Sequence, residues 1–154
     1  MEGTIKAKFK SLWKYYIFQS LLAGIALLII VLVLGKEKML TVSAIGATAF
    51  IVFAMPKLVS AQTKHVIGGH LVGLAAGAIF YFTALPYYVE YPLVVGLAIF
   101  IMVAIDVEHP PAVGTALAVV INEVTLNAFI GIMASSIILS QCRYALRRYL
   151  KDLV

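Results

Sequence analysis

Residues 17–34 read IFQSLLAGIALLIIVLVL, about 18 positions in succession without a charge. At 1.5 Å per helical residue, such a run nearly crosses a hydrocarbon layer of about 30 Å. It exceeds the apolar region of a secretory leader, has no small-x-small cleavage site and is followed by further apolar runs. It therefore reads as a retained membrane helix. Ahead of it, Phe9, Leu12, Trp13 and Tyr16 recur at helical spacing among lysines, so residues 1–16 are expected to lie as an amphipathic interfacial helix.

The rest of the chain has the same character. Of its 154 residues 63% are apolar and 12% charged, against about 45–50% and about 25% in soluble domains. A soluble chain of this length must cover its surface with polar groups, so the excess is solvated by lipid and residues 1–154 form one transmembrane domain. The net charge is +5, but Lys6, Lys8, Lys10 and Lys14 sit at one end and Arg143, Arg147, Arg148 and Lys151 at the other. Basic clusters flanking apolar spans are positive-inside signals. They place both termini, including the basic tail 143–154, in the cytoplasm of a cell whose inner (plasma) membrane holds the protein. Lipid, and no nucleic acid, is the implied partner. The single cysteine, Cys142, forms no intrachain disulfide and reads as a structural thiol.

Beyond Lys36-Glu37-Lys38, the run from Leu40 to Met55 stops at Pro56 and is short for a span. Residues 56–65 (PKLVSAQTKH) form a polar loop, and Val66 to Leu85 is a full-length segment with His70 inside it. Residues 86–92 read as an aromatic interfacial turn, followed by a short apolar stretch over 93–105. Ala112 to Ile121 is shorter still, before Asn122 and Glu123, and Leu126 to Leu139 leads into the basic tail. The expected fold is all-α: a polytopic bundle of four full spans plus two short or interrupted helices, with residues 93–121 either a re-entrant hairpin or two crossings. Ala44-Ile45-Gly46-Ala47-Thr48 echoes Ala112-Val113-Gly114-Thr115-Ala116, which suggests a three-plus-three inverted repeat of the kind common in transporters.

The run Asp106-Val107-Glu108-His109-Pro110-Pro111-Ala112-Val113-Gly114-Thr115 carries the chemistry. Ionisable groups at membrane depth cost at least about 2.5–3.5 kcal/mol each and usually face an interior. Proline suits a first helical turn, so a helix is expected to start at Pro111. The free amides of residues 112–115 would then offer an anion donors and positive potential. Ser43, as N-cap, with Gly46, Ala47 and Thr48 repeats the arrangement in the other short segment, where Thr41 also lies. His70 and His109 are candidates for gating or proton coupling, Asp106 and Glu108 for orienting His109 or excluding cations, and Lys64 for attracting anions. In the plainer reading the run is an interfacial turn with solvated carboxylates. Gly69, Gly73 and Gly77 share one helix face at the spacing that lets membrane helices approach closely. A metal site from Asp106, Glu108, His109 and His70 has no supporting ligand spacing. No nucleophile motif or phosphate loop is present, so neither an enzyme nor a cofactor is expected.

These motifs resemble the HPP family of small integral membrane proteins, named for the His-Pro-Pro found here at 109–111. Gly46-Ala47-Thr48-Ala49 resembles the family's Gly-Ala-Ser-Ala segment, and Ala61-Gln62 through Val66-Ile67-Gly68-Gly69-His70 resembles its Ala-Gln-Pro-Arg-Asn-Val-Ile-Gly-Gly-His block. Here Thr63-Lys64-His65 replaces Pro-Arg-Asn, and Val113-Gly114-Thr115 differs from the Gly-Ala-Thr of the family. The resemblance covers roughly residues 40–140. It implies a helical membrane protein, usually counted as four spans, with a transport role and nitrite as the substrate proposed for some members. The resulting expectation is a channel or transporter for a small inorganic anion, working as a homo-oligomer with glycine-rich faces as interfaces. The competing class is a non-transporting scaffold or regulatory subunit that packs through the same glycines.

Overall fold

The computed structural model describes residues 2–34, 39–83, 85–122 and 125–154, with side chains for 7–32, 42–83, 85–121 and 125–154, and among these described residues there are six α-helices and no strand. The helices are α1 (Glu2–Leu34), α2 (Met39–Ala54), α3 (Thr63–Tyr81), α4 (Tyr87–Ala104), α5 (Pro111–Asn122) and α6 (Leu126–Leu146), with a single 3-10 turn at Val59–Ala61. The charged break Lys36-Glu37-Lys38 and Glu123 lie outside the described residues. Thr41 and Asn122 are described only as helical backbone.

Two boundaries differ from the sequence reading. No Gly or Pro falls between Gly3 and Gly24, so nothing separates a surface helix from the first span. The N-terminal segment and the apolar run form one 33-residue helix, about 50 Å long and longer than the hydrocarbon layer. The aromatic turn expected over 86–92 is instead the start of α4. Pro86 is extended (φ −65°, ψ 142°) and its carbonyl accepts from the amides of Val89 (2.9 Å) and Glu90 (3.0 Å). Glu90 lies in the first turn, where a carboxylate complements the helix dipole. Pro92 is carried inside the helix at the expense of one backbone hydrogen bond. The segment read as short thereby reaches 18 residues.

Among the described residues α1, α4 and α6 are long and apolar enough to cross a membrane, while α2 and α5 are shorter apolar helices. Ile17, Leu21, Ile25, Leu28 and Leu32 form an exposed stripe along α1, and Ile99, Phe100 and Val103 are exposed on α4. Lipid solvates such faces. Inside, one apolar cluster joins α1, α2, α3 and α6 through Ile30, Ile45, Phe53, Leu74 and Ile132. A second joins α3, α4 and α5 through Val72, Ala76, Val94, Ala98, Met102 and Ala116.

α3 and α5 make the most intimate pair. A Cβ on Gly69 would stand 2.5 Å from the His109 Cβ, one on Gly77 2.5 Å from the Val119 Cβ, and one on Gly73 would overlap the Ala112 carbonyl oxygen. The glycine face of α3 is thus occupied by the chain's own α5. It is not an outward interface, which removes it both as an oligomer seam and as a scaffold's docking face.

One end of the bundle is closed by side chains. Gln19, buried on α1, donates to the carbonyls of Phe53 and Lys151 (2.8 Å to the latter) and accepts from the Lys151 amide at 2.9 Å. The Leu153 amide donates to the Ala54 carbonyl at 2.9 Å, and Arg143 donates to the Pro56 carbonyl. The C-terminal tail therefore satisfies carbonyls left over at the end of α2. The α2–α3 loop and the α4–α5 link lie at this same end, joined by Lys64 and Asp106.

Candidate functional site

All three histidines of the chain gather where α3 meets α5 and the α4–α5 link. α5 starts at Pro111, as the Pro-Pro pair predicts, and the residue ahead of that pair, His109, is driven into the bundle while Pro110 stays exposed. His109, His70, Thr48 and Thr115 are each fully buried. His70 Nδ1 lies 2.8 Å from Thr115 Oγ1, and its Nε2 lies 2.8 Å from Thr48 Oγ1. Thr48 Oγ1 is 3.0 Å from His109 Nε2, and His109 Nδ1 is 2.7 Å from the Ser60 carbonyl. The two imidazole centroids are 5.1 Å apart.

Donor and acceptor roles follow from the one fixed end. A carbonyl only accepts, so His109 carries its proton on Nδ1, and its neutral Nε2 must accept. Thr48 supplies that hydrogen, and its oxygen accepts from His70 Nε2–H. His70 Nδ1 in turn accepts from the Thr115 hydroxyl. Every hydrogen then points the same way along Thr115, His70, Thr48, His109 and Ser60. The members of such a chain polarise one another in a low-dielectric setting. The Thr48 hydroxyl also lies 3.0 Å from the Ala44 carbonyl of the preceding helical turn. Its single hydrogen chooses between that oxygen and His109.

The amides expected to greet an anion are differently placed. Ala112 N–H donates to the His109 carbonyl (2.9 Å) and Val113 N–H to the Pro110 carbonyl (3.1 Å), so the start of α5 closes on itself. α2 is helical from Met39, which puts Ser43 in the helix interior with an exposed side chain and not at an N-cap. The amides of residues 44–48 accordingly have acceptors in the preceding turn. Gly46 faces Leu27 at 4.0 Å and Ala47 is exposed. Gly114 faces Ala44, so the two echoing motifs meet where α2 crosses α5. Ala112 is buried in the α3–α5 seam, and Pro111 is buried at the start of α5.

Asp106 and Glu108 do not orient His109. Asp106 Oδ2 lies 2.5 Å from Lys64 Nζ, and Glu108 Oε2 lies 3.4 Å from His65 Nδ1. The hydrogen bond from Lys64, with its charge, holds the Asp106 carboxyl below its usual value. Lys64 also shares a basic recess of about 360 Å³ with Gln62, Thr63, Arg143, Tyr144 and Arg147. A second, largely apolar groove of about 230 Å³ runs between α4 and α5 past Ile99, Met102, Val103, Glu108, His109, Pro110 and Val113.

Sequence reasoning missed Ser60, His65, the hydroxyls of Thr48 and Thr115 as side-chain partners, and Gln19. The last left a signal, a carboxamide inside an otherwise apolar run. Ser60 left none, since it acts through its backbone.

Compared with known proteins, residues 8–151 match the family described as HPP, transmembrane region. No curated protein and no solved structure matches the chain.

Proposed function

This chain belongs to the HPP transmembrane family, and on that footing we propose that it carries a small monovalent anion across the bilayer, nitrite being the leading candidate, with the Thr115–His70–Thr48–His109 chain as its gate. The observation that carries the reading is the burial of four hydrogen-bonded polar side chains in an apolar bundle. Groups of this kind are costly in a membrane interior and tend to mark substrate or proton routes. The basic recess of Lys64, Arg143 and Arg147 supports an anionic cargo, because its cations concentrate anions at the end of the bundle where His109 lies.

In the closed chain each N–H and O–H already has an acceptor. Parting Thr48 from His109 frees the Thr48 hydroxyl to donate to an anion and leaves His109 Nε2 open to take up a proton that enters with it. The three-plus-three repeat belongs to this reading, with α1–α3 and α4–α6 as halves. The pairing of Thr48 and Thr115 on opposite nitrogens of His70 supports it. Homo-oligomerisation through lipid-facing helices belongs to the reading as well, and is supported by Gly24 on α1 and Gly96 on α4, where a Cβ would meet nothing within 4 Å among the described residues. The inner (plasma) membrane, with both termini cytoplasmic, is the expected setting.

The test is flux. Purified protein in liposomes enclosing a nitrite-sensitive dye should admit nitrite faster than protein-free liposomes, and His109→Gln should slow entry at least tenfold while helical content and melting temperature stay measurable. Entry no faster than in protein-free liposomes overturns the transport reading.

A further inference from the structure

Outside the buried chain, one cluster has an unsatisfied member. His65, in the first turn of α3, is buried, with a side chain 4% exposed, yet its Nδ1 has no hydrogen-bond partner among the described residues. It faces the carboxylates of Asp106 and Glu108 on the α4–α5 link, and one ligand atom from each of the three lies within 4.8 Å of the others. Asp106 sits in the left-handed region (φ 57°), a conformation that Asp tolerates better than most residues.

From this geometry we infer that His65, Asp106 and Glu108 form a binding site for a divalent transition-metal ion of the Zn²⁺ type. The inference is independent of the transport reading. The 3.4 Å between His65 Nδ1 and Glu108 Oε2 is too long for a charge-assisted hydrogen bond of about 2.7–2.9 Å. It does match one edge of a tetrahedron: ligands about 2.0–2.1 Å from Zn²⁺ stand about 3.3–3.4 Å apart. One imidazole nitrogen with two carboxylates favours Zn²⁺ over Mg²⁺ or Ca²⁺, which take oxygen sets. Lys64 holds only Oδ2 of Asp106 and leaves Oδ1 to the ion. Glu108 and Asp106 stay partly exposed, their side chains 44% and 73% accessible, which gives the ion an entry path. A water would complete the coordination. The bound ion would tie the first turn of α3 to the link that carries His109.

The experiment uses full-length protein without a polyhistidine tag, in detergent and stripped with chelator, titrated with Zn²⁺ against a chromogenic chelator and with Co²⁺ by visible absorption. One ion per chain is expected, with Co²⁺ giving the bands of a low-symmetry four-coordinate site. Glu108→Gln and Asp106→Asn, both at accessible positions, should each weaken binding at least tenfold. His65→Gln should abolish the Co²⁺ bands, and Lys64→Gln should tighten binding by removing a competing cation. Binding undiminished in both carboxamide variants, or no stoichiometric uptake by the parent protein, overturns the site. Neither result bears on nitrite entry, so the two readings fail separately.

Discussion

Thr48 has one hydroxyl hydrogen and two acceptors competing for it, the Ala44 carbonyl and His109 Nε2. Removing the hydroxyl orphans a nitrogen on each of two buried imidazoles, at about 1–3 kcal/mol for each unsatisfied group. Thr48→Val, close in volume, should therefore lower the melting temperature in detergent clearly, whereas Thr48→Ser should stay near the parent. Equal effects from both would show that the methyl group and not the hydroxyl matters there. Gln19 makes a second prediction. Gln19→Leu abandons the Lys151 backbone and the Phe53 carbonyl, so trypsin should cut at Arg147, Arg148 and Lys151 several-fold faster, as read by intact mass. The sequence singled out His70, His109, Thr48 and Thr115, but assigned the threonines to backbone donation. Side-chain hydrogen bonds between positions 22 to 61 residues apart leave no local pattern, and only the fold brings them together.

At the scale of elements, α3 and α5 are joined by an absence of side chains. Gly73→Val places atoms on the Ala112 carbonyl and must part the helices, a change of the overpacking kind that costs about 1–3 kcal/mol or more. Gly96→Ala, on an open face of α4, should leave stability unchanged or raised. Paired thermal melts decide this, and equal losses would deny the seam its role. The small-residue spacing was legible as close packing, yet its partner was not, because the period of four identifies a face without naming what lies against it. The α5 start was legible from Pro111, since proline fixes its own φ. The α4 start was misplaced because Pro92 suggests an end, whereas the extended Pro86 and the carboxylate of Glu90 allow the helix to begin earlier.

For the whole molecule, the end-to-end hydrogen bonds put the α2–α3 loop, the α4–α5 link and the C-terminal tail together. Single cysteines at positions 57, 106 and 148, in a Cys142→Ser background, should all react with an impermeant thiol reagent from one side of oriented vesicles, and one at position 87 from the other. Labelling of 106 from the side of 87 would contradict this arrangement. The membrane character was readable in the composition, and the six helical segments in the succession of apolar runs. The depth of the His-Pro-Pro turn was not, because Pro110 and His109 differ in burial though adjacent. The glycine seam bears finally on motion. Its notches repeat every four residues, so α3 can slide along α5 only in steps of about 6 Å, and one step would strip His70 of Thr115. The pair behaves as a ratchet with a single seated position. α3 and α5 would then travel as one rigid beam, leaving any rocking to α2, which carries Thr48, and to the groove between α1 and α6 lined by Ile29, Ile130, Ala134 and Ile138.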